Sequence, residues 1–286
     1  MKFSERMGYT LPRTVSQTDD IDEPLKNAFW TCLYETTFHY IGINYRSDNV
    51  FCEDCEIICR RIWLHFLNKT SDSMPSWNKF ANAIKTWFYS NDTSWYEIYD
   101  LIEFIISGDY DKIALKDVLI SGLNSAMEQH MSGYRIIGTK VTPITDKEET
   151  NELVTAIEDN PFNNVKSHIQ TAVEYFANRD NPDYRNVIKE AISAVEAICR
   201  IIVGNESATL SNALAKIEKS IDIHPALKLG YEKIYCYTND ADGIRHALGI
   251  GEDDTVAQEN ARYMLVSCSA FVNYLIEKYR KMEPIS

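Results

Sequence analysis

The chain has 286 residues, 45% of them apolar and 25% charged, and a formal charge of −13. That length suits two domains, each able to bury a core, and the composition excludes a disordered chain. Both halves are acidic, −5 over residues 1–145 and −8 over 146–286, which excludes a broad phosphate-binding surface because such surfaces rest on clustered cations. The start, from Met1 to Tyr9, lacks the apolar core of a signal peptide. No apolar run of about eighteen residues marks a membrane span. The seven cysteines are odd in number and scattered, which predicts reduced thiols. The expectation is a cytoplasmic protein with no membrane contact.

Residues 1–21 form a polar lead-in. Asp22 and Pro24 then set a helix start, cap and first turn, with Leu25, Phe29, Cys32, Leu33 and Thr36 at helical spacing. Asp48 or Asn49 caps a second helix through Ile58, Cys59, Ile62, Trp63 and Phe66, and Pro75 opens a third with Phe80, Ile84, Trp87 and Phe88 inward. A fourth runs from Ser94 to Gly108 and a fifth from Asp111 to Met131. From Tyr134 to Ile144, β-branched residues flank Gly138, the pattern of a short hairpin. The fold class is therefore mainly α, in two helical domains. Residues 1–145 form an N-terminal bundle with a hairpin near 134–144, and residues 146–286 an up-and-down bundle.

In the second domain a charged helix runs from Asp146 to about Asn160, followed by one through Val165, Ile169, Ala172, Val173 and Phe176. Next comes a long helix from Pro182 to Val203, stopped by Gly204. Ile188, Ala191, Ile192, Val195, Cys199 and Ile202 make its apolar stripe. Asn186, Lys189, Glu190, Ser193, Glu196 and Arg200 make its polar side, and Ala191, Ala194 and Ala197 suit a dimer seam. A short helix spans Thr209 to Ser220. His224-Pro225 begins another, with Leu227, Leu229, Ile234 and Tyr237 as its apolar positions. Residues 240–254 read as a loop with a helical turn at Ile244–Leu248, and Val256 to Lys281 as the last helix.

Cys52, Cys55 and Cys59 fall on one helical face, but His65 lies six residues on, about 240° round at 100° per residue. Zinc usually draws ligands from two elements, so packed thiols are the better reading and no metal is expected. No phosphate loop, nucleophile elbow or His-Glu-x-x-His occurs, and no cofactor is expected. Arg245-His246 carries the sharper chemistry. Arginine stabilises a phosphate and its pentavalent transition state, and histidine moves protons near neutral pH. The competing reading is a loop ion cluster with Asp240, Asp242 or Asp253.

The string from Asn181 to Arg200, the stretch Glu232 to Leu248 and the ending Met264 to Leu275 resemble AbiJ-like abortive-infection proteins. So do Phe3-Ser-Glu-Arg6, Trp95 to Phe104, Ser132 to Arg135 and Thr142 to Thr145. The resemblance implies a C-terminal HEPN-like domain, a class that often dimerises and contains metal-independent RNases of phage defence. Active HEPN RNases place an Arg, four to six residues of which the first is polar, then a His. Arg245 fits the Arg and His246 the polar residue. The positions for the distal His hold Ile250, Gly251 and Glu252, and those for an Arg ahead of His246 hold Asn239, Asp240 and Ala241.

Two functions follow as expectations. One is a dimeric defence ribonuclease acting on RNA, with Arg245 and His246 catalytic and Glu190 or Glu196 orienting the base. The other is a non-catalytic sensor or dimerisation module that answers a protein or phage-derived trigger.

Overall fold

The computed structural model describes residues 3–7, 9, 16–39, 53–108, 116–178, 183–221, 223–240 and 257–282. It is mainly helical, as the apolar periodicity predicts, and divides into two compact units, Met1–Thr145 and Asp146–Ser286. Among the described residues, no helix is long and apolar enough to cross a membrane.

In the first unit, α1 (Phe3–Arg6) precedes α2 (Glu23–Leu33), which Asp22 caps by accepting the Leu25 N–H. Leu25, Phe29, Trp30 and Leu33 are buried, but the next turn departs from the expected stripe. Residues Tyr34–Phe38 are π-helical, which inserts an extra residue into the turn. The inward face is thereby delayed, so Thr37 and Phe38 are buried while Thr36 is only half-buried. After α3 (Glu53–Arg61) a second π turn, Ile62–Phe66, does the same service for Ile62 and Trp63. Phe38 and Trp63 both meet Phe80, at 6.4 and 6.2 Å between ring centroids. Phe80 belongs to α4 (Trp77–Phe88), whose cap position is Ser76. The expected caps at Asp48 or Asn49 lie outside the described residues.

α5 (Trp95–Ile106) opens with a capping box between Ser94 and Glu97, and α6 covers Lys116–Gln129. The hairpin pairs β1 (Arg135–Ile137) with β2 (Lys140–Thr142) in an antiparallel register, Ile136 opposite Val141. Gly138 leads its two-residue loop with φ +60°, a value glycine adopts without a Cβ clash. Three residues per strand are marginal alone, and side chains close both edges. Asn124 accepts the Ile136 N–H at 2.8 Å and donates to its carbonyl at 2.9 Å. Glu103 accepts the Val141 N–H at 2.6 Å and the Lys140 ammonium at 3.1 Å.

The lead-in docks through Gln17, which is 1% exposed. Its amide donates to the His130 carbonyl at 2.7 Å and accepts the Asp22 N–H at 2.7 Å. Its backbone joins Met131 and Gly133. A Cβ on Gly133 would lie 2.6 Å from Thr18 Cγ2, so only glycine fits that contact.

The second unit is built from α7 (Lys147–Glu158), α8 (Asn163–Ala177), α9 (Tyr184–Val203), α10 (Leu210–Ser220), α11 (Pro225–Asp240) and α12 (Gln258–Met282). Asp146 caps α7, Asp183 caps α9 and Thr209 caps α10. Gly204, with φ +62°, ends α9 in a left-handed turn. α9 is the central helix, with α8, α12 and α10 packed on it. Its buried residues therefore extend past the expected stripe to Val187, Ala194, Ala197 and Ile198. This corrects the alanine seam: Ala191, Ala194 and Ala197 are covered by helices of their own unit.

Candidate functional site

α9 offers its carboxylates to different neighbours. Glu190 reaches across to α8, where its Oε2 lies 2.7 Å from Nδ1 of His168. Glu196 stays on its own helix and accepts from Arg200, four residues on, at 3.3 Å. Arg200 also donates through Nε to the Ala208 carbonyl at 3.1 Å, tying the end of α9 to the connection that follows. Six residues at 100° each put Glu190 and Glu196 about 120° apart around the helix, so the two do not converge. Glu196 holds an arginine in place; Glu190 orients an imidazole. His168 and Glu190 are both part-exposed, at 38% and 20% of their side-chain surface. A histidine whose one ring nitrogen meets a carboxylate is fixed in tautomer and orientation, the arrangement of a proton-transfer group. No motif in the sequence marks His168, because its partner stands twenty-two residues away on another helix.

Arg245 and His246 lie outside the described residues, in the segment 241–256 between α11 and α12. The elements on either side of that segment are described. Tyr231 stacks on Phe271 at 3.3 Å and 13°, which anchors α11 on α12, and burial pushes the Tyr231 hydroxyl up to about 12. Beyond this contact the helices part into a cleft of about 460 Å³ lined by Lys233, Ile234, Tyr237, Asn260, Tyr263 and Met264. Leu227, Leu229 and Tyr237, apolar positions of this helix, are 41%, 53% and 42% exposed. α11 turns only its Tyr231, Ile234 and Thr238 side inward.

A second cleft of about 480 Å³ lies between α7 and α12. Its polar groups already hold the helices together. Asn273 donates to both the backbone and the carboxylate of Glu152, at 2.9 and 2.8 Å, and Arg280 donates to the Asp159 carbonyl at 2.7 Å.

Burial pushes Cys199 and Cys268 up to about 12, so both stay protonated at neutral pH. Cys59 is fully buried and His65 exposed, and no described group of His, Cys, Asp and Glu could hold a metal ion.

A family model, AbiJ N-terminal domain 4, matches residues 1–159, more than half of the chain. No curated protein and no solved structure matches it.

Proposed function

The chain belongs to the AbiJ N-terminal domain 4 family, and from that premise we propose that it is a bacterial abortive-infection protein of anti-phage defence whose second unit is a HEPN-type, metal-independent ribonuclease. The observation that carries this reading is the family match over 1–159 together with a second helical unit, Asp146–Ser286, whose 241–256 segment contains Arg245 and His246.

The chemistry needs no cofactor. A ribose 2′-hydroxyl attacks the adjacent phosphate, a base takes the hydroxyl proton, and an acid returns a proton to the departing 5′-oxygen. Arg245 neutralises the charge that gathers on the phosphorane oxygens. His246 moves a proton, its ordinary pKa lying near physiological pH. Glu190 fixes His168 as a second imidazole on the helical wall. The protein acts as a homodimer through the second unit.

The second reading is a non-catalytic sensor or dimerisation module answering a protein or phage-derived trigger. The charge of −13 and the lack of a histidine at 250–252 favour it. Expression in bacteria separates the two. The ribonuclease reading expects growth arrest with fragmented cellular RNA, and loss of both in Arg245→Ala. Harmless expression of the intact protein during phage challenge, with RNA whole, sinks it.

A further inference from the structure

The α11–α12 cleft differs from its neighbour in what its polar groups do. None of Lys233, Tyr237, Asn260 and Tyr263 makes a side-chain hydrogen bond or ion pair with a described residue. The two tyrosine rings are 42% and 59% exposed, a state a folded chain gains nothing from, since each ring leaves apolar surface in water. Ile234 and Met264 supply an apolar floor. Among the described residues the lining holds one cation and no carboxylate, within a unit of charge −8. By contrast the α7–α12 cleft is lined by Glu152, Asp159 and Glu277, and its amide and guanidinium are engaged.

Aromatic faces, an amide and an ammonium on an apolar floor are complementary to one class of group: a flat heteroaromatic base carrying an anion. A base stacks on a tyrosine because every nucleobase has a π-face. An asparagine amide offers a donor and an acceptor to a base edge, and a lysine pairs with a phosphate as a point charge. The volume suits a ligand of this size. We infer that this cleft binds an unpaired nucleotide of single-stranded RNA, its base stacked on Tyr237 or Tyr263, its edge read by Asn260 and its phosphate held by Lys233. The inference rests on the ribonuclease reading for the identity of the nucleic acid, and it assigns that reading a substrate class: RNA with unpaired bases. Connectivity supports it further. Tyr237 lies in the last turn of α11 and Asn260 in the first turn of α12, so the walls of the cleft are the two attachments of the segment that carries Arg245.

The test uses the full chain and a short, fluorescent, 2′-O-methylated single-stranded RNA, which lacks the attacking hydroxyl and stays intact. Fluorescence anisotropy is expected to show binding that weakens about tenfold in Tyr237→Ala and in Tyr263→Ala, the loss typical of one stacking partner. Tyr→Phe at either position keeps the ring and is expected to bind as the wild type does. Both side chains are exposed, so melting temperatures are expected to hold and to exclude misfolding as the cause. A fully base-paired RNA of the same length is expected to bind more weakly.

Unchanged affinity in both alanine variants overturns the inference, as does a change confined to the sedimentation coefficient, which would make the cleft a contact between copies. RNA cleavage by variants that bind normally rejects the cleft and leaves the ribonuclease standing. Tyrosine-dependent binding without cleavage of unmodified RNA rejects the ribonuclease and leaves the cleft.

Discussion

Gln17 and Tyr263 show two opposite uses of a polar side chain in one molecule. Gln17 is 1% exposed, and both ends of its amide are taken by backbone groups of its own unit. Tyr263 is 59% exposed, and its hydroxyl meets no described hydrogen-bond partner. The same division runs through their units. Asn124 and Glu103 close the edges of a hairpin too short to stand alone, while Lys233, Tyr237 and Asn260 border open space. Where a polar group is buried, its partners are part of the fold. Where it is gathered beside others and left open, it is available to something else.

That contrast predicts where substitution harms stability and where it does not. The largest loss is expected for Gln17→Ala, which strands the His130 carbonyl and the Asp22 N–H. At about 1–3 kcal/mol for each unsatisfied buried group, urea unfolding is expected to show a loss of about 3 kcal/mol. A value below 1 kcal/mol would mean that water replaces the amide, and the clasp would lose its role. Gly133→Ala comes next. Its new Cβ meets Thr18 Cγ2 at 2.6 Å and the Gln17 carbonyl oxygen at 3.0 Å, and backbone cannot swing aside as a side-chain end can. A loss of about 2 kcal/mol is expected by the same measurement.

The fold was legible wherever the signal was local. Asp22, Ser94, Asp146, Asp183 and Thr209 each precede a helix within a few residues of the groups they serve, and a cap acts over one turn. The π turns at Tyr34–Phe38 and Ile62–Phe66 were not legible, because a residue inserted into a helix keeps its composition and changes only the phase of its face. Gln17 reaches His130 over 113 residues, and no spacing rule spans that. α11 misled for a different reason. Its Leu227, Ile234 and Tyr237 have helical spacing, but spacing shows only that residues share a face, not that a neighbour covers it. The candidate site follows the same rule: Glu190 is on the polar side of α9, while His168 needs the packing of α8 to become its partner.

The buried thiols sharpen the same comparison through pH. Cys199 and Cys268 have ordinary values of 9.0 and sit at about 12 in the folded chain. The folded state binds protons more tightly, so their contribution is complete below pH 9 and is lost as pH rises toward 12. Between those limits stability is expected to fall as pH rises. Cys199→Ala is expected to flatten the slope of unfolding free energy against pH; an unaltered slope would place the titration elsewhere.

The smallest effect is expected at the part-exposed dyad. His168→Ala is expected to cost less than about 1 kcal/mol, since exposed ion pairs contribute little, yet to lower RNA cleavage if its imidazole moves a proton. A large stability loss with normal cleavage would make His168 a clasp between helices and move it to Gln17's side of the comparison.

The proposal that the second unit cleaves RNA without metal through Arg245 stands or falls on the products of the reaction. It is tested most directly by following an end-labelled, largely unpaired RNA with purified wild-type protein and Arg245→Ala in the presence of excess EDTA, each verified as folded by its melting curve. Fragments ending in 2′,3′-cyclic phosphate are expected with the wild type, and intact RNA with the variant. Intact RNA with both, or equal cleavage by both, would contradict it.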